Sequence, residues 1–112
     1  MASRFLPGTI VASAVFTASG DSGALHGWGD AKTLRLQLNV TAVAGTSPTL
    51  DVVVEDTLDG VNYNIIATFA QKTVAAREVL NVTTPFTNTI RVRWTIGGTT
   101  PSFTFEVDGF SA

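Results

Sequence analysis

The chain has 112 residues, a formal net charge of -2 and no cysteine. That length supports one domain, the missing cysteine excludes disulfides and thiolate chemistry, and seven basic residues, only two of them lysine, leave no electrostatic footprint for a phosphate backbone. Val, Ile and Thr make up 35 of the 112 residues, and their branched Cβ atoms favour extended backbone, so the expected class is all-β.

Residues 1–8 read as an N-terminal arm, because Pro7-Gly8 separates them from the single domain expected over residues 9–112. Arg4 followed by the apolar stretch Phe5–Phe16, with Ala12-Ser13-Ala14 inside it, has the outline of a secretion signal; Pro7-Gly8 breaks the apolar run and argues against one. No apolar run approaches the ~20 residues of a spanning helix, so membrane insertion through a helix is not expected. The first strand is expected at Thr9–Thr17, with Ile10, Ala12, Ala14 and Phe16 on one face. An irregular stretch follows, Ser19-Gly20-Asp21-Ser22-Gly23 and then Leu25-His26-Gly27-Trp28-Gly29-Asp30.

Leu34, Leu36, Leu38 and Val40 alternate with Arg35, Gln37 and Asn39, the period of a strand with one face wet. Gly45-Thr46-Ser47-Pro48 then reads as a hairpin turn into Leu50, Val52 and Val54, and Asp59-Gly60 as a second reversal into Tyr63–Phe69. Lys72–Ala76 is a loop or a single helical turn, Glu78–Val82 a short strand stopped by Thr83-Thr84-Pro85. Ile90, Val92, Trp94 and Ile96 alternate next, a Gly97–Thr100 turn follows, and Phe103, Phe105 and Val107 close the pattern.

A four-residue loop at that turn sets Trp94 against Phe103, Val92 against Phe105 and Arg91 against Glu106. The same register fails in the first hairpin, since Val40 and Val43 cannot both point inward without an extra residue; a β-bulge is therefore expected near Thr41-Ala42. Seven short strands spaced this way argue for an antiparallel β-sandwich, immunoglobulin-like or jelly-roll. Scarce lysine leaves strand edges unguarded, so neighbours are expected to cover them. Residues 43–56 and 96–109 repeat one phrase, through either duplication or convergent turn chemistry.

Chemistry is sparse. His26 is the sole histidine and sits in an irregular segment, Asp56-x-x-Asp59-Gly60 lacks the spacing of a calcium loop, and the acids Asp51 and Glu55 have Arg35, Arg91 and Arg93 as ion-pair partners. The two G-T-[ST]-P segments are followed by strands, not by helices that would make them phosphate loops. No enzymatic activity, metal or cofactor is expected. Trp94 belongs to the core by its alternation, whereas Trp28 between two glycines is the one aromatic with potential for exposure, to stack on a sugar ring, or equally to cap an open end of the sandwich or anchor a neighbour.

The runs LRLQLNVTAVAGTSPTLDVVVEDTLDGVNYNIIATFA and NTIRVRWTIGGTTPSFTFEVDGF, through the phrases GTSPTLDV, LDG-x-N-[YW] and RVRW-x-[IV]-GGT-[ST]-PSFTF, resemble small β-sandwich proteins encoded among the structural genes of tailed bacteriophages and prophages. The resemblance spans residues 17–110 and implies a capsid decoration or cement protein, made in the host cytoplasm and resident on the capsid surface of the virion. Its implied partners are the major capsid protein and copies of itself, a trimer being one arrangement, with neither nucleic acid nor membrane. A tail component and a carbohydrate-binding module that contacts a host glycan are the alternatives. Contacts are expected from Arg4, Phe5 and Leu6 in the arm, from Leu25 and Trp28 in the loop, and from Thr46, Ser47, Pro48, Thr99, Thr100 and Pro101 in the two turns.

Overall fold

A computed structural model describes residues 8–29 and 31–111. It is all-β and antiparallel, with seven strands: β1 (Gly8–Phe16), β2 (Gly20–Asp21), β3 (Leu25–His26), β4 (Leu34–Thr57), β5 (Tyr63–Thr68), β6 (Ala76–Val82) and β7 (Thr89–Ser111). They belong to one sheet in which β4 and β7 are neighbours at the centre. β1, β2 and β3 pair with β7, while β5 and β6 pair with β4. The strand count matches expectation, yet its partition differs: two pairs of expected strands are fused into β4 and β7, and two short strands form inside the irregular stretch. Lys72–Ala76 makes no helical turn, because Lys72 bridges Leu50 through two backbone hydrogen bonds of 2.9 Å and β6 begins at Ala76.

Neither hairpin expected at the G-T-[ST]-P segments exists, whereas the reversal expected at Asp59-Gly60 does join β4 to β5. β4 and β7 run alongside each other from Leu34 opposite Ser111 to Asp56 opposite Ile90. Trp94 therefore lies opposite Val52 rather than Phe103, Val92 opposite Val54 rather than Phe105, and Arg91 opposite Glu55 rather than Glu106. The two G-T-[ST]-P segments sit across from each other, with Thr46 paired to Thr99, and the chain passes through both without reversing. Left-handed backbone suits a paired bulge as well as a tight turn. Here Gly45 (φ +111°) and Ser47 (φ 48°) form one bulge, and Gly98 (φ +112°) and Thr100 (φ 50°) form the other.

The bulges fold the sheet. A straight 24-residue strand such as β4 would span about 80 Å at the usual rise per residue, whereas the longest dimension of the molecule is 45 Å. Past the bend β7 returns over itself, so that the Trp94 and Phe105 rings stand 5.5 Å apart, and Phe16 of β1 packs on both at 5.0 and 4.5 Å. Two layers result. The first holds β6, residues 34–44 of β4, residues 102–111 of β7, and β1; the second holds β5, residues 49–57 of β4, residues 89–97 of β7, and the short β2 and β3.

The alternation read from the sequence fills the space between the layers. Leu34, Leu36, Leu38 and Val40 meet Phe103, Phe105 and Val107 from the first layer, and Leu50, Val52 and Val54 meet Ile90, Val92 and Trp94 from the second, all of them buried. The expected bulge is present, as a register shift between Val40 and Ala42 that leaves Thr41 and Ala42 exposed. β1 departs from its expected face: shifts on both sides of Val11 turn that residue inward, while Ala12 and Ala14 are exposed.

A pseudo-two-fold axis passes through the Thr46–Thr99 pair. The offset that carries Gly45 to Gly98 and Ser47 to Thr100 also carries β1 onto β5, the β2–β3 region onto β6, and β4 onto β7. The glycines show the symmetry in atomic detail. A Cβ on Gly45 would stand 2.7 Å from the Thr100 oxygen and 2.8 Å from Pro101 Cα; one on Gly98 would stand 2.8 Å from the Ser47 oxygen and 2.9 Å from Pro48 Cα. The repeated phrase is thus the centre of a whole-chain pseudo-symmetry, with each bulge packed against its own image.

Candidate functional site

The residues read as chemically suggestive are scattered. His26 hydrogen-bonds through Nδ1 to the Thr89 hydroxyl at 2.9 Å, on an exposed rim. Asp59 closes its own turn: the Asn62 and Val61 backbone N–H groups, the Asn62 side-chain amide and the Thr57 hydroxyl all donate to it, which holds its carboxyl well below the ordinary range. No group of three or more His, Cys, Asp or Glu side chains able to hold a metal gathers among the described residues.

Trp28 is a correction. The indole with potential for exposure is 2% accessible and joins the core. Its backbone N–H donates to the Asn88 carbonyl at 3.2 Å, and the next N–H, of Gly29, donates to the Asn88 side chain at 3.1 Å, so the loop is tied down with the ring turned inward. Burial also removes Trp28 as a stacking platform for a sugar. Leu25 pairs with Ile90 and packs half-buried against the core. Arg4, Phe5 and Leu6 lie outside the described residues.

The two G-T-[ST]-P segments, by contrast, come together at the bend. Thr46, Ser47, Thr99 and Thr100 are exposed there, with Pro48 and Pro101 half-buried beneath them. Their proximity arises in the antiparallel pairing of β4 with β7.

β1 presents a bare edge. Among the described strands it pairs only with β7, and Gly8–Phe16 contains no charged residue, with Val15 64% exposed. Lysine does little to guard the edges, because Lys72 is buried, donates to the Ala70 carbonyl at 2.8 Å and forms an ion pair with Glu78.

The outer faces of the two layers differ in their charges. On the second layer Glu55 is clamped by Arg91 Nε at 2.8 Å and Arg93 Nε at 3.2 Å, and the Arg91 guanidinium lies 3.7 Å from the centre of the Tyr63 ring. On the first layer three strands set out a grid of outward side chains. Arg77 (β6), Asn39 (β4) and Glu106 (β7) form one row, Val79, Gln37 and Asp108 the next, and Asn81, Arg35 and Phe110 the third. Arg35, Gln37, Arg77, Asp108 and Phe110 rim a shallow hollow of about 530 Å³.

None of the four charged groups on that face takes part in the ion pairs formed among the described residues. Burial and the neighbouring Glu106 push the Asp108 carboxyl above its ordinary range, against a hydrogen bond from Thr9. Sequence reading misses this face. Alternation marks its residues as outward, but which strands lie side by side is not written in alternation. Neither the family models nor the curated proteins contain a match to this chain.

Proposed function

We propose that this protein is a structural component of a virion head, a decoration subunit that binds an assembled shell of major capsid protein and copies of itself, and that works without catalysis or cofactor. The observation that carries the reading is the bare β1 edge on a firmly folded body. An uncharged strand with one side of its backbone open is a template for pairing with another chain, and soluble monomers ordinarily blunt such an edge with charge. Residues 1–7, read from the sequence as part of an arm, immediately precede that strand in the chain. The phage-like phrases in the two halves of the chain support the virion assignment, and so does the low charged fraction of 14%, about half the usual share.

The glycan-binding alternative loses its named aromatic with the burial of Trp28. The test is fractionation of particles that carry the protein. It is expected to travel with heads after heads and tails are separated, and heads stripped of it are expected to melt at lower temperature and recover when it is added back. Recovery in the tail fraction, or heads indifferent to its removal, overturns the reading.

A further inference from the structure

The first layer's outer face holds two arginines and two carboxylates that find no ionic partner among the described residues, and their placement is ordered. The cations stand on β6 and β4, Arg77 and Arg35; the anions stand on β7, Glu106 and Asp108. The equivalent face of the second layer spends its charges internally, in the Arg91–Glu55–Arg93 clamp. A face with separated charges of both signs around a hollow is complementary to a partner with the opposite order. A second copy of the same face, turned over, has that order.

We propose that this face is the self-association surface of the protein, with Arg77 of each copy paired to Glu106 of the partner subunit about a two-fold axis that runs along β4. The inference rests on the self-association included in the function proposed above. Turning one face about β4 exchanges the positions of β6 and β7, while each row keeps its level. Arg77 and Glu106 share a row, through Asn39 between them, so one rotation forms both copies of that ion pair.

The third row fits the same operation. Arg35 donates to the Asn81 side chain at 2.9 Å, which draws its guanidinium from the axis toward β6 and away from its own image. That displacement brings it over Phe110 of the partner subunit, where a guanidinium gains from the aromatic face. In the middle row Val79, 40% exposed, lines the hollow and comes opposite Asp108 of the partner subunit. The rotation also brings Arg77 of the partner subunit onto Glu106, the acid whose repulsion of Asp108 no cation among the described residues relieves.

The test is sedimentation of the purified full chain over a concentration series, at ionic strengths of about 0.05 M and about 0.5 M, where screening differs strongly. A dimer that weakens at the higher salt is expected. Arg77→Glu and Glu106→Arg are each expected to weaken it about tenfold or more, and the double variant to recover wild-type association to within about threefold. Thermal melts of each variant establish that it is folded. A monomer at every concentration, single reversals without effect, or a double variant that fails to recover each overturns the inference. An oligomer that survives the single reversals overturns this face while leaving self-association intact, and head-binding by a monomeric variant separates the fate of this surface from that of the virion reading.

Discussion

The two layers are images of one another in backbone and opposites in electrostatics. Glu55 and Asp108 occupy equivalent places in β4 and β7, and the residues opposite them, Arg91 and Gln37, are equivalent once Thr41 is counted as the extra residue of the bulge. In one layer the acid lies between two guanidiniums. In the other the same place faces an amide, beside a second acid. The two halves thus share the ladder, whose hydrogen bonds do not depend on side-chain identity, and differ at the outward positions. One face holds a closed ionic patch, and the charges of the other take no part in the ion pairs formed among the described residues.

The comparison breaks most visibly at its centre. Gly45→Ala and Gly98→Ala each force a Cβ into backbone of the opposite strand at a left-handed φ. Each is expected to cost about 2–3 kcal/mol in urea unfolding. The symmetry predicts similar losses, so a site that tolerates the change while its image does not would show that the bend is held from one side only.

A smaller effect is expected at the clamp. Glu55→Gln leaves Arg91 and Arg93 half-exposed without a carboxylate, and should lower stability by about 1–2 kcal/mol, by less in high salt. The smallest effect belongs to the equivalent position. The raised Asp108 carboxyl in the folded state means that its charge opposes folding at neutral pH, and that this opposition fades as pH falls through the folded value. Asp108→Asn is therefore expected to raise the stability of the isolated chain at neutral pH by less than about 1 kcal/mol and to flatten the gain on acidification. Opposite signs at Glu55 and Asp108, read from unfolding at two pH values, would sharpen the contrast; the same sign at both would erase it.

Much of the inward and outward assignment is legible in the order of residues along each strand. Leu34 to Val40, Ile90 to Trp94 and Phe103 to Val107 alternate as the core requires, because successive strand side chains point to opposite faces whatever lies beside them. The Thr41 bulge is legible for a related reason: two inward residues at an odd separation demand an extra one between them. The bend is not legible, since Gly45 and Gly98 with Pro48 and Pro101 carry the same local signal whether the chain reverses or bulges. Nor is the burial of Trp28, because its flanking glycines announce a loop and not which way the loop folds.

The amino-acid sequence by itself determined that this is a β protein, which residues of its long strands face its interior, and where one strand must bulge, for these follow from interactions within a few residues along one strand. Tertiary structure alone decided that β4 pairs with β7 along its whole length, that the repeated phrase is a crease and not a pair of turns, that Glu55 is clamped, and that Arg77, Glu106 and Asp108 share a face. Those outcomes depend on which distant segments meet, and backbone hydrogen bonds, being alike at every residue, leave that choice to the packing of the whole.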